Sequence, residues 1–316
     1  MELRGFRIGI DKKFYRTMTD EQATLQQQAT QFLNDEYFDS AVYAALADIE
    51  RNDQRKQLLR TLAESEHEHY RFWKDIARRE ARPVKALLVR LLLVMRRVAG
   101  LMFTMKFLEL HERDVVDEYR DWLPRLDAGQ RDRLAVILKD EEEHEKHFMS
   151  QVDEASVRYI GFVALGLSDA IIEITGVHAG FLGVMGSTLV AGIAGLVVGF
   201  AASISMGVAA YLKAKSEVRK SPVTSAFITS ATYLLSVIFL AGPYFLTGSM
   251  FIAFSVSVTF AILMSVGFTF YVSVVNETNF KREVIENTSL LIGTAIATYF
   301  FGDLLGAIFG VRAALG

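Results

Sequence analysis

LAESEHEHYRFW, residues 62–73, and ILKDEEEHEKHF, residues 137–148, decide the reading of the first half of this chain. At a helical period, one face of the first reads Leu62, Glu66, His69, Trp73, and the same face of the second reads Ile137, Glu141, His144, Phe148. Each row runs apolar, Glu, His three residues on, aromatic, and 75 residues separate Glu66 from Glu141 and His69 from His144. A single Glu-x-x-His is more often a solvated face, but two copies in register with apolar rows are a different signal.

Two further helical patterns flank them. Residues 20–51 place Glu36 in a row with Phe32, Ser40 and Tyr43, and residues 98–122 place Glu109 and Glu112 in a row with Met105, Val116 and Tyr119. With helices at 53–82 and 128–154, breaks at Pro83 and Pro124 and a longer crossover at 83–97, the pattern predicts an all-α four-helix bundle built from a duplicated helix pair. Five inward carboxylates in an empty core would repel one another and lose several kcal/mol of hydration each. Two divalent cations resolve this, with carboxylate oxygens coordinating and each imidazole adding a nitrogen that suits iron better than magnesium. A Glu from each of two helices plus a Glu-x-x-His from each of the others is the di-iron carboxylate pattern, with candidate ligands Glu36, Glu66, His69, Glu109, Glu112, Glu141 and His144. Manganese accepts the same donors. His67, Glu68, Glu142, Glu143, Glu145 and His147 fall off the rows and are expected at the surface.

The second half is of another kind. The 316 residues are 51% hydrophobic, yet only eight of the 34 Lys and Arg and seven of the 37 acids lie after Ser156. Five apolar stretches, at about 157–183, 188–212, 223–247, 250–275 and 289–309, are long enough to cross a bilayer, which takes roughly 20 residues. The chain therefore divides into an N-terminal segment 1–19, a bundle 20–156 and a five-helix transmembrane bundle 157–316. The loops holding Lys213, Lys215, Arg219 and Lys220, and Lys281 with Arg282, are basic, which predicts a cytoplasmic N-terminus and an outside C-terminus in a multi-pass membrane protein. The charged first twenty residues do not read as an export signal. Residues 86–110 are also apolar but hold Arg90, Arg96, Arg97 and Lys106, each costing about 3 kcal/mol at mid-bilayer. They read as a bundle helix with a membrane-surface portion around 83–97.

Within the spans, Asp169 lies about 18 Å along the first helix at ~1.5 Å per residue, with Glu173 one turn further on the same face. Carboxylates at that depth read as an ion or proton pathway. Asp303 has a similar depth in the last span, and His178 faces nearly away from Asp169, as an outer-mouth or interfacial histidine. Span two, rich in Gly, Ala and Ser, predicts close helix packing, and its Met206 is a soft donor. The chain has no cysteine, so thiolate metal sites, disulfides and thiol nucleophiles are excluded; a net charge of −3 gives no footprint for nucleic acid.

The residues 20–154 resemble the rubrerythrin-type ferritin-like domain on LNDEYFDSAVY, LAESEHEHYRF, FLELHERD and KDEEEHEKHF. That resemblance implies iron at the seven ligands named above, without the rubredoxin cysteines that would supply a built-in electron donor. Residues 157–316 resemble the vacuolar iron transporter family on their five spans, on GLSDAIIEITG and on SISMGVAAYL. This second resemblance implies a homodimer that moves Fe²⁺ or Mn²⁺ out of the cytosol against protons, with Asp169 and Met206 at transport positions. Ser168, Ala170 and Ala210 depart from the family's Asn, Gly and Glu, and Glu173 is the expected substitute carboxylate. The combination is similar to membrane-bound ferritin-like iron exporters of the cell (inner) membrane. Its rival is a membrane-anchored ferroxidase or peroxide-reducing enzyme without transport.

Overall fold

A computed structural model describes residues 20–151, 155–184, 187–217 and 220–310, with side chains throughout except at 20–24, 111–116, 142–151 and 155–156. The described residues are helical and turn segments with no strand, and they divide into two compact units, before and after Ala155.

In the first unit, α1 (Asp20–Ile49), α2 (Asp53–Ala77), α4 (Leu101–Trp122) and α5 (Ala128–Gln151) contribute to one core. Its centre is aromatic: Phe32 lies 4.7 Å from Trp73 and 4.8 Å from Tyr119 between ring centroids, and Trp122 packs edge-on to Trp73 at 5.3 Å. Offset and edge contacts of this kind add to the burial of the rings themselves. The α1–α2 turn is closed by Asn52, whose side chain accepts from Arg55 N, and by Glu50, whose carboxylate accepts from Arg51 N and Asn52 N at 2.9 Å each.

The sequence pattern runs α2 to residue 82, but the helix stops at Ala77. Arg78 takes a left-handed conformation (φ 50°), its N–H returning to Lys74 O, so that the chain turns and Arg82 N donates to Asn34 Oδ1 on α1 at 2.8 Å. The apolar stretch read as one helix over 86–110 is broken at Gly100: its first part is a helix of its own in the crossover, α3 (Ala86–Ala99). Gly100, at φ 94°, separates α3 from α4, a conformation that a β-carbon would strain.

The second unit holds α6 (Ala155–Arg158), α7 (Ile160–Val184), α8 (Thr188–Ala214), α9 (Pro222–Ala241), α10 (Pro243–Leu246), α11 (Met250–Asn276) and α12 (Phe280–Phe309). Among the described residues, five stretches are long and apolar enough to cross a membrane: α7, α8, α9 continued through α10, α11 and α12. Each of α8, α9 and α11 begins on a serine whose hydroxyl accepts from the N–H three residues on. The last helix starts nine residues before the apolar run, because Asn279 caps it and Glu283 sits in its first turn against the positive end of the helix dipole. Helices α7 and α12 approach through glycines; a β-carbon on Gly183 would lie 2.6 Å from Tyr299 O, and one on Gly302 would overlap the Gly180 carbonyl. The outward faces of α8 and α12 are continuous apolar stripes, among them Ile193, Val197, Phe200 and Ile204, and Ile292, Ile296 and Phe300.

Candidate metal centre

The row read on residues 62–73 turns inward as sequence periodicity requires. Leu62, Glu66, His69 and Trp73 are all buried on α2, while Glu68, off the row, is exposed. Glu36 from α1, Glu66 and His69 from α2 and Glu141 from α5 converge so closely that one ligand atom from each lies within 4.8 Å of the others. His69 Nδ1 stands 2.9 Å from Glu141 Oε1, 3.2 Å from Glu66 Oε2 and 3.6 Å from Glu36 Oε2. Glu36, Glu66 and His69 are at most 5% exposed. Tyr119 Oη on α4 donates to Glu36 Oε1 and is fixed by the rings of Phe32 and Trp73.

The protonation balance follows from this crowding. Burial, then the charge of Glu141, pushes the Glu66 carboxyl well above the ordinary carboxylate value. Burial also pulls His69 down, but hydrogen bonds to Glu141, Glu36 and Glu66 outweigh it and hold the imidazole well above its usual value. Glu36 is likewise opposed by burial, yet His69, with help from Glu66 and Tyr119, brings it below the ordinary range. Burial and the Glu36 charge keep the Tyr119 phenol protonated, so it can only donate to that carboxylate. Three carboxylates and one imidazole, desolvated together on three helices, are a donor set that can hold a metal ion.

The remaining expected ligands are distributed differently. Glu109 is buried on α4 but ion-pairs with Lys106 Nζ at 2.9 Å and does not join the converging group. Glu112 and His144 lie on described helices, with side chains outside the described residues. Sequence reasoning missed two participants. Tyr119 stands in the same row as Glu109 and Glu112, where a tyrosine among inward acids is itself a signal. Lys106 counted only as a charge in an apolar stretch, although it is 2% exposed. A groove of about 680 Å³ between α2 and α5, flanked by Glu64, Glu68, Arg133 and Asp140, opens onto His69.

In the second unit, Asp169 and Glu173 are half-buried one turn apart on α7. Tyr233, fully buried on α9, donates to Glu173 Oε2 at 2.5 Å, a partner that nothing in the sequence singled out among the five aromatic residues of that span. Met206 on α8 is half-buried and packs against the cluster that includes Leu167, Ala170, Ile171 and Tyr233. Ala210 is completely buried with Tyr159 and Phe162, which leaves a carboxylate no room there. Asp303 is half-buried on α12. His178 is fully buried between helices, its ring 4.0 Å from that of Tyr244, with Gly195 pressed against its Nε2. Compared with models of protein families, with characterised proteins and with solved structures, the chain matches none.

Proposed function

We propose that the chain is a proton-coupled exporter of Fe²⁺, or of Mn²⁺, whose first unit is a cytoplasmic rubrerythrin-type ferritin-like domain and whose second is a transport domain similar to the vacuolar iron transporters. The observation that carries the reading is the convergence of Glu36, Glu66, His69 and Glu141 in a chain that also has five apolar helices, with Asp169 and Glu173 inside the first and Asp303 inside the last. In this reading the four residues hold the first ion, Glu112 and His144 belong to the second position of a di-iron pair, and Glu109 is held by Lys106 beside it. Bound there, iron supplies one-electron redox chemistry. The protein's own part is to present buried oxygens and one nitrogen, to orient Glu36 through the Tyr119 hydroxyl, and to admit ions past Glu64, Glu68 and Asp140 in the groove that reaches His69.

For transport, Asp169 and Glu173 offer successive carboxylates to the travelling cation, with Met206 as a soft neighbour. The Tyr233 hydroxyl holds Glu173 in one orientation, from which a proton can be exchanged for the cation. The basic ends of α8 and α12, with Lys213, Lys215, Lys281 and Arg282, support a cytoplasmic first unit, an outside C-terminus and a place in the cell (inner) membrane. A homodimer belongs to the same reading, with the outward apolar stripe of α8 available for it, since the small residues of that helix pack within the chain. The test has two arms on the full-length protein: metal content of wild type against Glu66→Ala with Glu141→Ala, and Fe²⁺ flux into inverted vesicles with Asp169→Asn and Glu173→Gln. The first pair is expected to lose bound metal and the second to lose flux. Equal metal in both proteins overturns the bundle assignment, and unchanged flux in both carboxylate variants overturns the route.

A further inference from the structure

Helix α3 is apolar on the wrong side. Its inner face carries Arg96, which donates to Glu50 Oε2 at 2.5 Å, and half-buried Val89, Leu92 and Leu93. Its outer face carries Leu87, Leu91, Val94 and Val98, which are 69%, 56%, 58% and 83% exposed. Their spacing of four, three and four residues aligns them in one stripe, roughly opposite Arg96 at about 100° per residue. A surface helix normally turns polar residues outward, and a contiguous apolar stripe marks a contact with another phase or partner.

We propose that this stripe lies in the headgroup–acyl boundary of a bilayer containing anionic lipid. The charge pattern selects that occupant. Arg90 and Arg97 border the stripe on one flank, exposed, and with Lys85 at the helix start they pair with no acid among the described residues. Residues 81–108 hold six Lys and Arg and not one acid. Basic side chains beside an apolar stripe let the stripe enter the acyl boundary while the guanidinium groups reach phosphates at its edge. A second copy docked stripe to stripe would instead bring Arg90 and Arg97 of both chains together without a carboxylate to separate them. The same chain carries five membrane-crossing helices, so a bilayer is always tethered to this unit. The inference concerns how the first unit meets the lipid surface and stands whether or not the chain transports metal.

The absence of native cysteine makes single labelling sites available. Full-length Leu91→Cys and Val98→Cys carry an environment-sensitive fluorophore in vesicles of phosphatidylcholine, with or without phosphatidylglycerol, whose acyl chains are brominated; Val136→Cys on α5, 58% exposed, is the control. The expected result is bromolipid quenching at 91 and 98, stronger with the anionic lipid, and none at 136, which stays open to aqueous iodide. Arg90→Gln with Arg97→Gln weakens the anionic component by about fivefold per residue. Unaltered emission from Trp73 and Trp122 certifies each variant's fold. Labels shielded from iodide but not quenched by bromolipid, with cross-linking between chains at residue 91, assign the stripe to a second copy and overturn the proposal. Labels as open to iodide as at 136 in every vesicle overturn it equally.

Discussion

Replacing Glu50 by Gln tests how the first unit is clamped. Glu50 Oε1 accepts from Arg51 N, Asn52 N and Arg55 Nη2 at 2.9, 2.9 and 3.0 Å, and Oε2 accepts from Arg96 Nη2 at 2.5 Å. One carboxylate thus joins the end of α1, the α1–α2 turn and the inner face of α3. Burial alone would raise its pKa, but the backbone bond from Asn52 and the two guanidinium groups bring it down from 4.5 to about 2. By linkage this shift corresponds to roughly 3 kcal/mol, discounted to about 2 kcal/mol because both arginines keep part of their surface in water. A depressed carboxylate contributes fully above its unfolded value and loses the contribution as pH falls towards the folded one. The wild type is therefore more stable than Glu50→Gln by about 2 kcal/mol at pH 7, a melting difference of roughly 4–8 °C for a unit of this size, and the gap closes between pH 4.5 and about 2. Both tryptophans of the chain, Trp73 and Trp122, are buried in this unit's core, so their emission follows its unfolding in the full-length protein. Equal melting at pH 7, or a gap that does not change between pH 6 and pH 3, would refute the clamp.

Three other outcomes follow from single contacts. Tyr119→Phe removes the donor to Glu36 and is expected to weaken metal binding by about 10-fold or more, measured by competition with a chelating indicator; unchanged affinity means that Glu36 does not depend on the phenol. Gly302→Ala sets a methyl group into the Gly180 carbonyl across the α7–α12 crossing and should cost about 1–3 kcal/mol, read as a lower melting temperature in detergent, whereas Gly293→Ala, which meets nothing, should be neutral. Tyr233→Phe leaves the span apolar and releases Glu173, so flux or its pH dependence should change while melting stays close to wild type; unaltered flux at every pH removes Tyr233 from the route.

Periodicity made the helices and the inward rows legible because burying one face is what a helix in a bundle must do. Glu36, Glu66, His69 and Glu141 could be named together for that reason, although their 4.8 Å grouping depends on how three helices are set against one another. What escaped was governed by single local geometries or by partners distant in sequence. Arg78 ends α2 by one left-handed residue, and nothing in the run from 53 to 82 announces it. Lys106 finds Glu109 one turn away, and the pair neutralises a carboxylate that a spacing rule assigns to a cation. Glu173 and Tyr233 are 60 positions apart and meet only because α7 packs on α9.

The two sets of carboxylates differ in a way that bears on their proposed tasks. Glu36, Glu66 and Glu141 are desolvated, share one histidine and stand on three helices fixed by an aromatic core, so an ion placed there gains several preoriented donors at once and leaves only by losing them together. Asp169 and Glu173 share a single helix and are half-buried, and among the described residues one neutral hydroxyl, from Tyr233, donates to Glu173. Fewer fixed donors mean weaker retention, which a pathway needs in order to release what it accepts. On the proposed reading, metal should therefore remain with the bundle through gel filtration and leave it when Glu66 and Glu141 are replaced, while Asp169→Asn alters flux without altering the metal that co-purifies. Loss of the co-purified metal in Asp169→Asn, with the bundle's tryptophan emission intact, would place the retained ion among the spans and reverse the assignment of holding and passing.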